Sequence, residues 1–123
     1  MKKTMLLLMT ALLLSGAPSQ SADADGDHVT LINAFTVPDG KEAEAIIFWE
    51  KAADFMRSQP GYISTALHAA ILPDARFQLI NVAKWESAED FKRASQALRA
   101  LGKIKPVEGL VPNPSLYTVI RSD

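Results

Sequence analysis

Two asparagines occupy the same position of a repeated tripeptide, and their amides are well placed to do chemistry. Leu31-Ile32-Asn33 recurs as Leu79-Ile80-Asn81, each time inside an apolar, strand-like run. A buried amide is costly unless it is hydrogen-bonded. Two amides at the same depth of neighbouring strands would form either a structural polar pair or the polar floor of a pocket. In a pocket, they could hold a substrate oxygen or stabilise developing oxyanion charge.

Aromatic side chains share the strand face that carries the two asparagines. Strand alternation places Phe35, Phe77 and Trp85 on that face, and the helix after the first run carries Trp49 in its buried stripe. Apolar and aromatic walls with a few polar groups suit a small, flat molecule. We therefore expect these residues and both asparagines to contact a substrate. A filled core with satisfied amides and no cavity is the alternative.

His68 is a further chemical candidate, because an unperturbed histidine titrates near neutrality and can act as a general base. A hydrogen-bonded interface histidine is the alternative interpretation. The sequence shows no His/Cys cluster and no paired carboxylates at ligand spacing, so we expect no metal site. It also lacks a Ser-His-Asp arrangement, a Gly-rich phosphate loop and a nucleophile elbow.

The elements that must position these residues follow the order β-α-β-β-α-β, an α+β, ferredoxin-like arrangement. Right-handed crossovers predict that the first strand lies beside the third and parallel to it, with both helices on one sheet face. Asp39 with Glu42, and Ser87 with Asp90, are capping patterns at the two helix starts. The predicted elements are strand 29–37, helix 41–58, strand 62–71, strand 76–85, helix 88–101 and strand 115–120.

The opposite sheet face has no cover within the chain. Alternation places Thr30, Ile32, Ala34, Ile80 and Val82 on it, and this surface is too apolar to face water. A second copy of the sheet packed against it is the simplest solution. The sequence therefore predicts a homodimer.

Residues 1–24 have the order of a secretory signal peptide: a basic start, an apolar run from Met5 to Leu14 and an A-x-A pattern ending at Ala24. The apolar run is shorter than the roughly 20 residues of a permanent membrane span. We expect cleavage after Ala24, a periplasmic or secreted protein and no stable membrane anchor, with an uncleaved signal anchor as the alternative. The predicted organisation is signal peptide 1–24, polar tether 25–28 and ferredoxin-like domain 29–123.

Composition narrows the function classes. The chain has 13 basic and 14 acidic residues, and removal of residues 1–24 leaves 11 and 13. A near-neutral charge without a basic cluster argues against nucleic acid. The absence of cysteine excludes a disulfide scaffold, a thiolate metal site and a thiol enzyme. An exported enzyme also has poor access to soluble nucleotide or flavin cofactors, so we expect an oxidation there either to carry its own cofactor or to need none.

Several segments together resemble the antibiotic biosynthesis monooxygenase family. The resemblance covers roughly residues 29–95, whereas the segment after Gly102 is not distinctive. The matching segments are Val29–Lys41, Trp49-Glu50, Gln59–Thr65, Leu67-His68 and Asn81–Ser87.

The resemblance implies ferredoxin-like subunits with an antiparallel-type sheet, paired as dimeric α+β barrels. Some members of this family oxidise electron-rich polycyclic phenols with O₂, without metal, flavin or haem. In such members a strand-one asparagine and the tryptophan ending strand three line the pocket, and Asn33 and Trp85 match those positions. A related branch degrades haem with an added axial histidine on the second helix. Residues 88–105 contain no histidine, which argues against haem degradation here.

The resulting hypothesis is an exported, dimeric, cofactor-independent monooxygenase for a small phenol or quinol. Asn33 would orient and polarise a substrate oxygen, and Trp85 would pack on the ring and donate a hydrogen bond. Asn81 and His68 are secondary candidates. Two alternatives remain open: a non-catalytic module that binds a small hydrophobic ligand, and a structural dimer with Asn33 and Asn81 bonded to each other.

Overall fold

The computed structural model describes residues 28–123, so the predicted signal peptide and residues 25–27 of the tether lie outside it. Within this range, no helix is long and apolar enough to cross a membrane. The predicted element order is confirmed, with an α+β, ferredoxin-like fold. The elements are β1 (Val29–Phe35), α1 (Glu42–Met56), β2 (Tyr62–Ala69), β3 (Leu79–Trp85), α2 (Ala88–Leu101) and β4 (Pro114–Tyr117).

The four strands form one sheet in the order β2-β3-β1-β4, and every pairing is antiparallel. The predicted adjacency of β1 and β3 is confirmed, but their predicted parallel direction is wrong. The crossover through α1 leaves β1 and β2 running the same way, and the β2–β3 connection then reverses the chain. β3 therefore enters between them antiparallel to both. The repeated tripeptides still become neighbours, with Asn33 directly opposite Asn81.

Both helices pack on the sheet face that carries the asparagines. β3 lies between two strands and alternates buried and half-buried residues, as expected of a strand with one face in the core. Its buried side chains meet side chains of β1 and of the helices. The fully buried apolar residues fall into two clusters, one of Leu31, Ala83, Trp85 and Ala94 and one of Phe35, Leu79 and Ala45.

The two helices begin in different ways. Ser87 caps α2 as predicted, because its hydroxyl oxygen accepts a hydrogen bond from the Asp90 backbone N–H at 3.1 Å. The predicted capping box between Asp39 and Glu42 is wrong. α1 begins after Lys41, whose side chain makes no capping hydrogen bond, and the preceding turn keeps Asp39 outside the helix.

The strands are shorter than predicted. β1 ends at Phe35, and its edge continues only as a single bridge between Thr36 and Val111. β3 begins at Leu79, because the connection before it is an irregular loop in which the Gln78 side chain donates to backbone carbonyls of that loop. The alternation of apolar residues in the sequence continues beyond the ends of these strands. It therefore does not show where the hydrogen bonding between strands ends.

Candidate functional site

A cavity of about 240 Å³ lies between the sheet and the two helices. Its walls are mostly apolar and aromatic, and its few polar groups are amides, hydroxyls, an indole and one guanidinium. This volume is below the roughly 300–1,000 Å³ typical of drug-sized ligands, so it favours a compact molecule. The lining residues are Leu31, Asn33, Phe35, Phe48, Trp49, Ala52, Ala53, Met56, Tyr62, Thr65, Asn81, Ala83, Trp85, Phe91, Ser95, Leu98, Arg99, Pro112 and Pro114.

The amide of Asn33 presents its nitrogen to the cavity. Its oxygen accepts a hydrogen bond from the Asn113 backbone N–H at 2.9 Å, and a backbone N–H can only donate. This partner fixes which end of the amide is the oxygen. Among the described residues, Asn33 Nδ2 has no hydrogen-bond acceptor, so this group remains available to donate to a ligand.

Asn81 is buried, at 7% exposure, and its oxygen accepts a hydrogen bond from Thr65 Oγ1 at 2.6 Å. Asn33 and Asn81 face each other across β1 and β3, yet each side chain takes a different partner. The interpretation of a filled core with the two amides bonded to each other is therefore wrong. Both amides instead line the cavity.

Trp85 is 1% exposed and forms a wall of the cavity. Its ring is held edge-on by Tyr62, with ring centroids 5.6 Å apart, and by Phe91, at 5.7 Å. Two such contacts fix the plane of the indole. Within residues 28–123, the indole N–H has no hydrogen-bond acceptor, so Trp85 offers a second donor to a ligand.

A register shift in β2 alters the predicted face of Tyr62. The sequence places Tyr62 on the face of His68, opposite Thr65. Tyr62 instead pairs with Trp85, and the irregularity between Tyr62 and Ser64 inserts an extra residue. Such a bulge reverses the alternation on one side of it. As a result, both Tyr62 and Thr65 line the cavity.

The structure brings together five of the seven predicted site residues: Asn33, Asn81, Trp85, Phe35 and Trp49 all line the cavity.

His68 and Phe77 do not line the cavity, which corrects the expectation that they contact a substrate. His68 is exposed and pairs with Ile80 on the other sheet face, where its Nδ1 lies 3.3 Å from the Ile80 carbonyl oxygen. Phe77 precedes β3, so strand alternation does not reach it. The Arg76 guanidinium covers its ring, 5.4 Å from the centroid.

Several cavity residues were missed by the sequence analysis. Tyr62 reaches the cavity only because of the β2 bulge, and Thr65, Ser95 and Arg99 are polar residues on faces defined by their apolar neighbours. Asn113 acts from an irregular segment, where its Nδ2 also donates to the Ala34 carbonyl at 2.7 Å. The only signal for Asn113 is its place between two prolines, which favours a fixed loop over a strand or helix.

The cavity has few groups that could exchange a proton. No aspartate, glutamate, histidine or lysine of the described chain lines it, and Tyr62 and Arg99 are its ionisable residues. Nor do residues 28–123 contain a cluster of three or more histidine or acidic side chains able to hold a metal ion. The arrangement can bind a flat molecule and donate hydrogen bonds to an oxygen on it.

Comparison with known proteins agrees with this fold. The profile of the antibiotic biosynthesis monooxygenase family matches residues 28–100. The chain belongs to this family.

Two solved structures illustrate the relationship. A monooxygenase candidate from Shewanella loihica PV-4 is 54% identical, covers 77% of this chain and 96% of its own, and has a TM-score of 0.70. SnoaB, a cofactor-independent oxygenase from Streptomyces nogalater, is 28% identical, with 78% and 96% coverage and a TM-score of 0.58. The family and these relatives support an oxidoreductase-type enzyme in general.

A curated relative, Protein SchA from Streptomyces halstedii, is 27% identical over 99 residues. The match covers 79% of this chain but only 26% of that protein. The chain therefore spans about a quarter of the length of this relative.

Proposed function

We propose that this protein is an exported, cofactor-independent monooxygenase that oxidises a small aromatic phenol or quinol with O₂. The observation that carries the proposal is the presence, in a cavity with apolar walls, of donors that have no acceptor within residues 28–123, among them Asn33 Nδ2 and the Trp85 indole N–H. Similarity to the monooxygenase candidate from Shewanella loihica and to SnoaB, a cofactor-independent oxygenase, supports the reaction class.

The two donors would act on the ionised substrate. A phenol or anthrone that loses its proton to solvent becomes electron-rich, and a hydrogen bond from either donor to its oxygen favours the charged form. This anion transfers one electron to O₂, and the resulting radical pair combines to form the C–O bond of a peroxide anion. The peroxide anion takes up a proton from solvent and becomes a hydroperoxide. Loss of water from the hydroperoxide gives the quinone. For an anthrone the balance is one anthrone and one O₂ in, one anthraquinone and one water out.

The first test is oxygen uptake by the purified protein with a panel of anthrones, naphthols and hydroquinones, without added metal or cofactor. We expect uptake above the uncatalysed rate. Asn33→Ala and Trp85→Ala should each lower it by about 100-fold or more, because removal of one oxyanion donor has an effect of that order. His68→Ala, which lies off the cavity, should leave it unchanged. Unchanged uptake in Asn33→Ala would remove this residue from the mechanism.

A second candidate function is a non-catalytic module that binds a small hydrophobic ligand. The absence of an acidic or histidine side chain from the described cavity lining favours this alternative, because such groups usually move protons in enzymes. Saturable binding of the same aromatic compounds without oxygen uptake would select it over the oxygenase.

We further propose that the protein is a homodimer joined through the sheet face that points away from the helices. Ile32 lies directly opposite Val82 on this face, and Ala34 lies opposite Ile80. At the edge, Tyr117 is 51% exposed beside Thr30. A contiguous apolar patch of this kind is unusual on a monomer. Light scattering after size exclusion would give twice the chain mass for the dimer and the single mass if the proposal is wrong.

Export is proposed from the residue order of 1–24 alone. Periplasmic or secreted protein should begin at Asp25, as N-terminal sequencing would show. Replacement of both Leu7 and Leu8 by Arg should leave full-length protein in the cytoplasm, because a charged segment no longer has the apolar region of a signal peptide. Full-length wild-type protein retained in the cytoplasm would contradict the proposal.

A further inference from the structure

Arg99 is the one charged side chain among the described residues that line the cavity. It lies in the last turn of α2 and is exposed. Two other arginines near the helices are paired, Arg93 with Asp90 and Arg57 with Asp54, each at 2.9 Å. Arg99 has no ion pair with any acidic residue of the described chain. A guanidinium without a partner thus borders an otherwise uncharged cavity.

The position of Arg99 along α2 separates it from the donor of Trp85. Phe91, Ser95 and Arg99 follow one another at four-residue spacing and all line the cavity, so they share one helix face. A helix rises 1.5 Å per residue, which places Arg99 about 12 Å along the axis from Phe91. Phe91 packs on Trp85. The indole donor and the cation are therefore at opposite ends of the wall that α2 provides.

We infer that the ligand of this cavity carries a carboxylate at the end of its ring system remote from Trp85. The inference rests on the proposed function and specifies its substrate class, an aromatic hydroxy acid. The planar guanidinium of Arg99 can donate two parallel hydrogen bonds to a carboxylate. The apolar surroundings of the cavity strengthen these hydrogen bonds. The acidic residues of α2, Glu89 and Asp90, lie in its first turn, at the opposite end from Arg99.

A purely structural role for Arg99 makes a different prediction. A cation in the last turn of a helix stabilises the helix through its dipole, whatever the cavity holds. Removal of that cation would alter thermal stability equally in the presence of any ligand. Ligand recognition, in contrast, predicts that the effect depends on the charge of the ligand.

The test compares two ligands of nearly the same shape, 6-hydroxy-2-naphthoate and its neutral amide, 6-hydroxy-2-naphthamide. Calorimetry gives the Kd of each for the wild type, Arg99→Gln, Arg99→Lys and the control Lys92→Gln. Lys92→Gln makes the same change in net charge as Arg99→Gln. It serves as the control because Lys92 is exposed on the same helix and is not among the cavity residues.

We expect the wild type to bind the naphthoate more tightly than the amide. Arg99→Gln should weaken naphthoate binding by about 10-fold, as expected for loss of a charge-assisted pair, and leave amide binding unchanged. Arg99→Lys should recover part of the loss, because it keeps the charge but not the planar fork. Lys92→Gln should match the wild type. The preference for the naphthoate should shrink as ionic strength rises.

Two results would overturn the inference: a wild type that does not prefer the naphthoate, including one that binds neither ligand, or an Arg99→Gln variant that affects both ligands alike. Binding is measured without turnover, so the two proposals fail separately. Arg99-dependent naphthoate binding without oxygen uptake would reject only the monooxygenase. A different set of results would reject only the carboxylate specificity. In that case neutral phenols would support oxygen uptake that requires Asn33 and is unaffected by Arg99→Gln, and the wild type would show no preference for the naphthoate.

Discussion

At the scale of single residues, the loop before β4 orients the amide of Asn33. The Asn113 backbone holds the Asn33 oxygen, and the Asn113 side chain holds the next carbonyl of β1, that of Ala34. These two contacts tie the segment to β1 at adjacent residues. A donor fixed in advance stabilises charge without reorganisation at the moment of reaction. The role proposed for Asn33 therefore depends on its nitrogen and not merely on its polarity.

Asn33→Asp tests the donor role of the amide nitrogen separately from the acceptor role of the oxygen. The variant keeps the oxygen that accepts from Asn113 and replaces the donor with a second, negatively charged oxygen. Oxygen uptake should fall by about 100-fold or more, because the carboxylate repels an ionised substrate. Circular dichroism should show an intact fold. Gln96→Glu, the same type of change on the exposed side of α2, should retain full activity. Activity of Asn33→Asp near that of the control would argue against a donor role.

Thr65 supports the second amide. Thr65→Val keeps the side-chain shape but removes the hydroxyl that donates to Asn81 at 2.6 Å. Because Asn81 is buried, its oxygen would lose its hydrogen-bond partner, at a cost of about 1–3 kcal/mol in the free energy of unfolding. Urea unfolding measures this difference, and Thr118→Val at an exposed position should change little. Equal stability of the two variants would show that the Thr65 bond is dispensable.

At the scale of elements, the connection between α1 and β2 sets the place of Tyr62 beside Trp85. Gly61 adopts a φ of +89° there, and its carbonyl accepts a hydrogen bond from the Glu86 N–H at 2.8 Å. A Cβ at Gly61 would overlap the side chain of Asp90. The absence of a side chain thus lets the start of β2 approach the start of α2.

Two glycine substitutions distinguish this close approach from backbone strain. Gly40 has a φ of +79°, but a Cβ there would meet nothing within 4 Å. Gly40→Ala should therefore lower the free energy of unfolding by only about 1–2 kcal/mol, the cost of a left-handed residue. Gly61→Ala adds the overlap with Asp90 and should lose clearly more, as thermal unfolding would show. Similar losses in both variants would mean that Asp90 moves aside without penalty.

Local patterns predicted the elements and five of the residues that line the cavity, whereas the errors come from contacts between segments that are distant in the sequence. Alternation placed Asn33 and Trp85 on the correct face because β1 and β3 pair without interruption. It failed for Tyr62, since a bulge depends on pairing with another strand and leaves no sign in its own sequence. Asn113 was missed for a related reason: its contacts are with β1, 79 and 80 residues away.

At the scale of the whole molecule, the two faces of the sheet carry different features. The inner face and the helices enclose the cavity. The outer face carries the apolar patch around Ile32 and Val82. If the proposed dimer forms through this patch, its contacts lie on the opposite side of the sheet from the cavity. Assembly and ligand binding should then respond to different substitutions.

Val82→Lys tests this separation. A lysine at the centre of the outer face would bring two like charges together across the proposed interface, so the protein should elute as a monomer with a lower Tm. The Tm of the wild type, unlike that of the variant, should rise with protein concentration. The Kd for 2-naphthol should stay within about 2-fold of the wild type, since the substitution lies on the other side of the sheet from the cavity. Gln96→Lys, which adds the same charge to the exposed side of α2, should remain dimeric. A monomeric variant that no longer binds 2-naphthol would show that the second chain shapes the cavity.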